Sequence, residues 1–237
     1  RVWRGAGKLC QFQTEKDGCV ARSPTNILNK ASGRAGEAEE TRLNILDVAT
    51  LEFADKGLSG ARIDEIAERT DASKRMIYYY FGSKEGLYRA VLERAYTAVR
   101  EIDADNTRSD LDPDAALRDV VGATFDYHHQ HPEFVRLVMN ENILRGAHIG
   151  EIPGIRERNR KVVEQLRNIL ARGVASGHFR EGIDPLELHM TISALCFYNV
   201  SNRYTVSYGF ERDVTAPKIL ARRRGNVVDI VESWCRA

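Results

Sequence analysis

A short basic and aromatic segment, Lys74 to Lys84, has the residue types that recognise nucleic acid. It carries three cations, Lys74, Arg75 and Lys84, and no carboxylate. Arginine and lysine can donate to guanine O6 and N7, and tyrosine hydroxyls and lysines reach phosphate oxygens. The whole chain of 237 residues has a formal net charge of only +1, so a positive field for a polyanion has to be local. This segment provides such a field.

The elements around the segment predict a helix-turn-helix. A helical pattern runs from Thr41 to a stop at Gly57, and a second, short helix ends near Thr70. The Ser73 hydroxyl can cap a third helix over 74–81, which stops at Gly82. Two short helices joined by a tight turn can place the second helix in the DNA major groove.

The third helix is expected to have one inward and one outward face. At 100° per residue, Ile77 and Phe81 face inward and Lys74 and Tyr80 lie on the flanks. The outward residues are Arg75, Met76, Tyr78 and Tyr79. We expect Lys74 and Arg75 to meet guanines, Tyr78 and Lys84 to meet phosphates, and Met76 and Tyr79 to meet thymine methyl groups. A packing role for Tyr80 stays an equal alternative.

The rest of the chain also has helical periodicity, so the predicted fold class is all-α. A fourth helix opens at Ser83, and a polar break follows at 103–113. Later helices are expected over 114–130, 132–145, 155–176, 184–207 and 216–235. Residues 1–38 have no helical or strand period and are predicted to be a disordered basic arm, either reaching along DNA or simply solvated.

Other function classes have little support in the sequence. There is no G-x-S-x-G, P-loop, H-E-x-x-H or dinucleotide-binding glycine motif, so we predict no catalytic residue and no cofactor. No apolar run of eighteen residues and no signal-peptide core occur, which predicts a cytoplasmic protein without a membrane partner. The cysteines, which lack a C-x-x-C pair, are expected to be reduced thiols: Cys10, Cys19, Cys196 and Cys235.

A run of histidines at 128–131 raises a metal hypothesis. The imidazoles of His128, His129 and His131 could share an ion at a helix end. No cysteine or carboxylate cluster nearby completes a closed ligand set, so the sequence favours histidines without a metal.

Four linked segments resemble the N-terminal signature of TetR/AcrR-type transcriptional regulators. They read T-R-L-N-I-L-D-V-A at 41–49, F-A-D-K-G at 53–57, I-D-E-I-A at 63–67 and S-K-R-M-I-Y-Y-Y-F-G-S-K-E-G-L-Y at 73–88. The resemblance implies a three-helix DNA-binding domain at 39–88, whose helix-turn-helix corresponds to 62–81, and a helical ligand-binding and dimerisation domain at 89–237. It also implies phosphate contacts by Tyr78 and Lys84. The implied base contacts come from Lys74, Arg75, Met76, Tyr79 and Tyr80, and the predicted DNA-binding set is completed by Arg62 and Ser73.

Two positions depart from the family pattern. Asp71 stands where the family usually has a turn glycine, which predicts a left-handed residue and some strain. Ala61 and Arg62 stand where a threonine usually caps the second helix, and a missing cap costs about 1 kcal/mol.

The resemblance implies a homodimer that binds a palindromic DNA operator and an unidentified small-molecule effector. Dimerisation is expected through apolar stripes on the last two long helices, although these stripes could be intramolecular core: Leu188, Ile192, Leu195 and Val200, and Val227, Ile230, Val231 and Trp234. The candidate effector-binding residues are Phe125, His128, Phe134, Val138, Glu141 and Asn142. The main hypothesis is a repressor released by its effector; the alternatives are an effector-independent nucleoid or division protein and, last, an enzyme.

Overall fold

The structure, a computed structural model, describes the backbone of residues 24–103 and 109–237, and the side chains of residues 36–99 and 109–237. Within these ranges the regular structure is helical, apart from one isolated antiparallel bridge between Phe179 and Arg236. The α-helices are α1 (Pro24–Gly60), α2 (Ile63–Glu68), α3 (Lys74–Phe81), α4 (Lys84–Asp103), α5 (Pro113–Gln130), α6 (Pro132–Ile143), α7 (Ile155–Ala175), α8 (Pro185–Ser201), α9 (Arg203–Gly209) and α10 (Pro217–Cys235). This arrangement confirms the all-α fold class.

The prediction of a disordered arm over 1–38 is wrong from Pro24 onward, because α1 begins there. Proline is well suited to the first turn of a helix, where its missing N–H is not needed. The run Glu37–Glu40 also consists of strong helix formers, and glycines at 33 and 36 weaken a helix without having to end it. The rest of the predicted arm, residues 1–23, lies outside the described residues, as do Cys10 and Cys19.

Capping residues set most of the helix ends. Ser73 caps α3, and the carboxylates of Asp112 and Asp184 accept N–H groups at the starts of α5 and α8, each just before a proline. Gly57 has φ 66° and breaks the helical backbone near the end of α1, as its predicted role as a stop requires.

The helix expected over 184–207 is divided in the structure. It is interrupted at Asn202, which has φ −108° and ψ 7° and separates α8 from α9. The Asn202 side-chain amide donates to the Ser201 hydroxyl over 2.8 Å. Short polar side chains that bond locally compete with helix continuation, which is the physical reason for the break.

Residues 41–237 form one compact unit with two buried apolar clusters. The first joins α1–α4 to α6 and includes Phe53, Ile77 and Leu92. The second joins α5, α7, α8 and α10. Cys196 and Cys235 are buried within it and form no disulfide with the described residues. Burial raises the pKa of the Cys235 thiol to about 11, as for an unreactive thiol. None of the described helices combines the length and apolar character needed to cross a bilayer.

Candidate nucleic-acid interface

Helix α3 is held by its cap and by one deeply buried side chain. The Ser73 hydroxyl accepts from the Met76 N–H over 3.3 Å, and Gly82, with φ 75°, ends the helix. Ile77 is 1% exposed, whereas Phe81 is half-buried against the same core. The inward face predicted from the helical period is therefore confirmed.

The opposite face of α3 is open to solvent. Tyr79 is 83% exposed and Tyr78 is 47% exposed, and Arg75 and Met76 lie on the same open side. Tyr80 is half-buried and packs on the core, with its ring edge-on to Tyr79 at 5.5 Å. Burial favours the packing alternative for Tyr80, while the base and phosphate contacts of the other residues remain predictions.

The three cations of the segment differ in how they are held. The Lys74 Nζ lies 2.6 Å from the Asp64 Oδ1, and this bond lowers the pKa of Asp64. Lys84 donates to the Ser59 carbonyl oxygen over 3.4 Å. Arg75 forms no ion pair with the described residues. Of the two cations of α3, it is therefore the one that can bind a ligand without first breaking an ion pair.

Sequence reasoning missed a buried carboxylate beneath the start of α2. Glu52 is 3% exposed and accepts from the Arg62 N–H over 3.2 Å. It also pairs with Lys56 at 2.9 Å and with Arg69 at 3.6 Å. The Arg62 side chain makes no capping bond and instead lies exposed near Asp64. Glu52 thus ties α1 to both ends of α2, which offsets the absent threonine cap.

The turn between α2 and α3 lacks the strain expected at Asp71. Among the described non-glycine residues, positive φ angles occur at Arg145 and Glu211, and not at Asp71. The Thr70 hydroxyl donates to the Ile66 carbonyl over 3.0 Å and accepts from the Ala72 N–H over 3.4 Å. This side chain stabilises the turn without a left-handed residue, so the expectation of strain was wrong.

A cavity of about 180 Å³ lies among α4–α8. Three of the predicted effector-binding residues line it: His128, Phe134 and Val138. The lining residues that the sequence did not indicate are Tyr96, Val99, Val120, Thr124, Val162, Gln165, Leu166, His189, Ile192, Ser193 and Phe197. They are spread over four helices, so no single periodic pattern could have assembled them.

The other predicted effector-binding residues lie away from this cavity. Phe125 belongs to the second core cluster and stacks on His129 at 5.3 Å. Asn142 is exposed and donates to the Val138 carbonyl. Glu141 is buried about one turn beyond Val138, where it accepts from the Tyr88 hydroxyl of α4. None of these three residues lines the cavity, because Phe125 packs into the second core cluster and Glu141 and Asn142 lie beyond Val138 at the end of α6. A role for them in effector binding stays a prediction.

Glu141 is the centre of a polar cluster. It accepts from the N–H groups of His148 and Ile149 over 2.6 and 2.9 Å, and from the Tyr88 hydroxyl over 3.3 Å. Burial and the nearby Glu141 carboxylate raise the pKa of Tyr88. Glu141 therefore fixes the loop after α6 against α4.

The three histidines of the 128–131 run have separate surroundings. His128 stacks on Phe134, and His129 stacks on Phe125. His131 bonds Glu133 through its Nδ1 over 3.0 Å. The run is therefore divided among different contacts and does not converge on one point.

The predicted dimer stripes are mostly buried within the chain. Of the eight residues, Leu188, Ile192, Val200, Val227 and Val231 belong to the core, and Leu195 is half-buried. The open alternative, intramolecular packing, is correct for these positions. Ile230 and Trp234 remain exposed, at 48% and 37%. A different stripe of α8 is exposed at steps of four residues: Leu186, Met190, Ala194 and Tyr198.

Comparison with known proteins identifies the family. Residues 113–231 match the family model for the tetracyclin repressor-like C-terminal domain, and residues 45–91 match that for bacterial regulatory proteins of the tetR family. The HTH-type transcriptional repressor NicS of Pseudomonas putida is 40% identical over 179 residues, 75% of this chain and 84% of NicS.

Solved structures agree on the fold. The transcriptional regulator SCO4942 from Streptomyces coelicolor has a TM-score of 0.64 at 27% identity, covering 82% of this chain and 98% of that chain. FadR from Bacillus subtilis, solved with stearoyl-CoA, has a TM-score of 0.62 at 19% identity, covering 82% of this chain and 100% of FadR. The chain therefore belongs to the TetR family and is a DNA-binding transcriptional regulator.

Proposed function

We propose that the chain is a homodimeric repressor that binds a near-palindromic operator through α3 and leaves it when a small molecule occupies the cavity among α4–α8. The observation that carries the DNA-binding part is the open face of α3. There Arg75, which forms no ion pair with the described residues, stands beside two exposed tyrosines, and the buried Ile77 fixes the orientation of the helix. A rigid helix with such a face can enter a major groove.

The cations of the segment have different roles in this proposal. Arg75 reads a base, because its guanidinium can donate to guanine O6 and N7 together. Tyr78 and Lys84 bind phosphates and set the register, and Met76 and Tyr79 contact thymine methyl groups. Lys74 first has to leave Asp64, so it contributes less to affinity than its sequence position indicates.

The proposed dimer interface consists of the exposed apolar residues of α8 and α10. Met190 and Tyr198 are 55% and 54% exposed on α8, and Ile230 and Trp234 are exposed on α10. These residues would bury apolar area against the same residues of a second copy in a two-fold interface. A two-fold dimer presents two α3 helices, so its half-sites are one or more turns of DNA apart.

Helix α6 supports a link between the cavity and the DNA-binding helices. Phe134 and Val138 line the cavity from α6. On the same helix, Asn140 donates to the carbonyls of Phe53 and Ala54 in α1 over 3.0 and 3.3 Å. A ligand that displaces α6 therefore acts on the C-terminal part of α1. The ligand lowers operator affinity by the ratio of its affinities for two arrangements of the chain, the one that binds the operator and the one in which α6 is displaced.

The open cavity also bears on the effector-independent alternative. A collapsed middle region would favour a DNA-binding protein without an effector. Instead, α4–α8 enclose about 180 Å³ lined by both apolar and polar side chains, as is typical of ligand sites.

The proposal is tested by selecting bound sequences from a random DNA duplex pool with the purified protein at near-physiological salt. We expect a near-palindrome, bound by two chains as measured by the mass of the complex. Recovery of a non-repeated site bound by one chain would contradict the dimer. No enrichment with a folded protein would contradict the operator itself.

A further inference from the structure

We propose that the cavity among α4–α8 takes a planar, single-ring aromatic molecule that carries a hydrogen-bonding group at one end. This inference deepens the proposed function and rests on it for the role of the ligand. The evidence for the inference is the size of the cavity and the order in which the lining side chains follow one another along α8.

The size of the cavity limits the ligand. Its volume is about 180 Å³, whereas pockets for drug-sized ligands begin at about 300 Å³. One ring with a short substituent fits this space. A fused multi-ring skeleton or a long acyl chain does not.

One end of the cavity is aromatic. His128 stacks on Phe134 with ring centroids 5.8 Å apart and an angle of 18° between the planes. Phe197 meets His128 edge-on at 5.9 Å and 89°. All three rings line the cavity. A flat ring can extend such an arrangement through stacked or edge-on contacts, which a saturated ring of the same size cannot make.

The other end of the cavity is polar. His189, Ser193 and Phe197 follow one another at steps of four residues on α8, and all three line the cavity. Each step advances about 6 Å along a helix. The Ser193 hydroxyl therefore lies one turn before the aromatic end, and the His189 imidazole lies two turns before it. Gln165 of α7 adds an amide to the lining.

This order of side chains fixes the orientation of the ligand. Its ring lies at the end of His128 and Phe197, and its polar group lies towards Ser193 and His189. Among the described lining residues there is no Asp, Glu, Lys or Arg. Recognition of the polar group thus depends on hydrogen bonds from neutral groups, together with the imidazoles.

The experiment is isothermal titration calorimetry of the full chain with five small-molecule probes. Benzamide and benzoate carry the proposed ring and polar group, cyclohexanecarboxamide has a non-planar ring, toluene lacks the polar group, and stearoyl-CoA is oversized. We expect benzamide to bind one per chain, about tenfold more tightly than cyclohexanecarboxamide and about tenfold more tightly than toluene.

Matched variants place the binding in the cavity. Gln165→Leu and Phe197→Leu should each weaken the better ring probe about tenfold. Asn168→Leu, which changes an exposed residue on the same helix as Gln165, should leave binding unchanged. Circular dichroism of each variant controls for folding.

Three results would overturn the inference: equal affinity for the planar and non-planar rings, tighter binding of stearoyl-CoA than of either ring probe, or ring binding that neither cavity variant weakens. Failure of the proposed function gives a different result. In that case the ring probe binds and the cavity variants weaken it, but DNA binding is unaffected by the probe.

Discussion

The ammonium group of Lys74 lies 2.6 Å from the carboxylate of Asp64, so the first cation of α3 is bound to α2 in the protein without DNA. A pair at the surface of two adjacent helices has to break before the lysine can neutralise a phosphate or meet a base. Asp64 therefore reduces the positive charge that α3 presents to DNA.

Asp64→Asn should release Lys74 and tighten binding to all DNA sequences at low salt. If the freed lysine neutralises one more phosphate, the slope of log K against log salt should steepen by about 0.9. Fluorescence anisotropy with a random duplex over a salt series measures the slope. Glu68→Gln, which removes an exposed charge elsewhere on α2, is the control. An unchanged slope in Asp64→Asn would mean that Lys74 does not reach a phosphate.

Arg75→Ala and Lys84→Ala should weaken DNA binding in different ways. Loss of Arg75 should remove about 1–3 kcal/mol of discrimination at one base position. Loss of Lys84 should weaken binding to operator and random DNA alike and flatten the salt dependence. Both variants are compared on the selected operator and on its single-base substitutions. Equal losses on specific and random DNA for both variants would contradict these roles.

Glu141→Ala should destabilise the fold. It leaves the N–H groups of the half-buried His148 and Ile149 without their acceptor, and each unsatisfied group costs about 1–3 kcal/mol. We expect a loss of about 2–5 kcal/mol in urea unfolding. Asn142→Ala, one residue further at an exposed position, should change stability by less than about 0.5 kcal/mol. Equal stability of the two variants would show that the Glu141 cluster is not needed for the fold.

Gly173→Ala should destabilise the C-terminal helices. A β-carbon at this position would lie 2.0 Å from the Phe179 ring, so the ring has to move within a packed core. Overpacking of this kind costs about 1–3 kcal/mol. Gly150→Ala is the control, because nothing lies within 4 Å of its added β-carbon. Thermal unfolding measures both, and a melting temperature unchanged by Gly173→Ala would contradict the close contact.

Met190→Asp should convert the proposed dimer into monomers. A charge in the centre of an apolar interface is desolvated without a partner, which costs several kcal/mol, on the order of 2–5. Sedimentation velocity should show half the mass, and binding to the palindrome should weaken more than binding to a half-site. Met139→Asp introduces the same charge at an exposed methionine of α6 and should leave the mass unchanged. A dimeric Met190→Asp protein would place the interface elsewhere.

The sequence by itself determined most of the elements and which face of α3 is exposed. Local signals define α3, because the Ser73 cap, the Gly82 stop and the period of Ile77 and Phe81 all act within one short stretch of chain. The same is true of the long helices after Asp112 and Asp184, where a capping carboxylate precedes a proline. Boundaries that depend on weaker signals, such as the start of α1 at Pro24, were not identified.

The tertiary structure alone decided which buried side chains meet. Glu141 and Phe134 are both inward residues of α6, yet one faces Tyr88 and the other lines the cavity. Helical periodicity indicates whether a residue faces the core or solvent, but not which residues of other helices it contacts. For that reason His189, Ser193 and Gln165 could not be placed in one site from the sequence. The sequence also left open, for the same reason, which residues of the predicted dimer stripes belong to the intramolecular core. Leu188 and Met190 of α8 are both apolar, and only the packing of α5 and α10 against α8 decides that the first is covered and the second is left exposed.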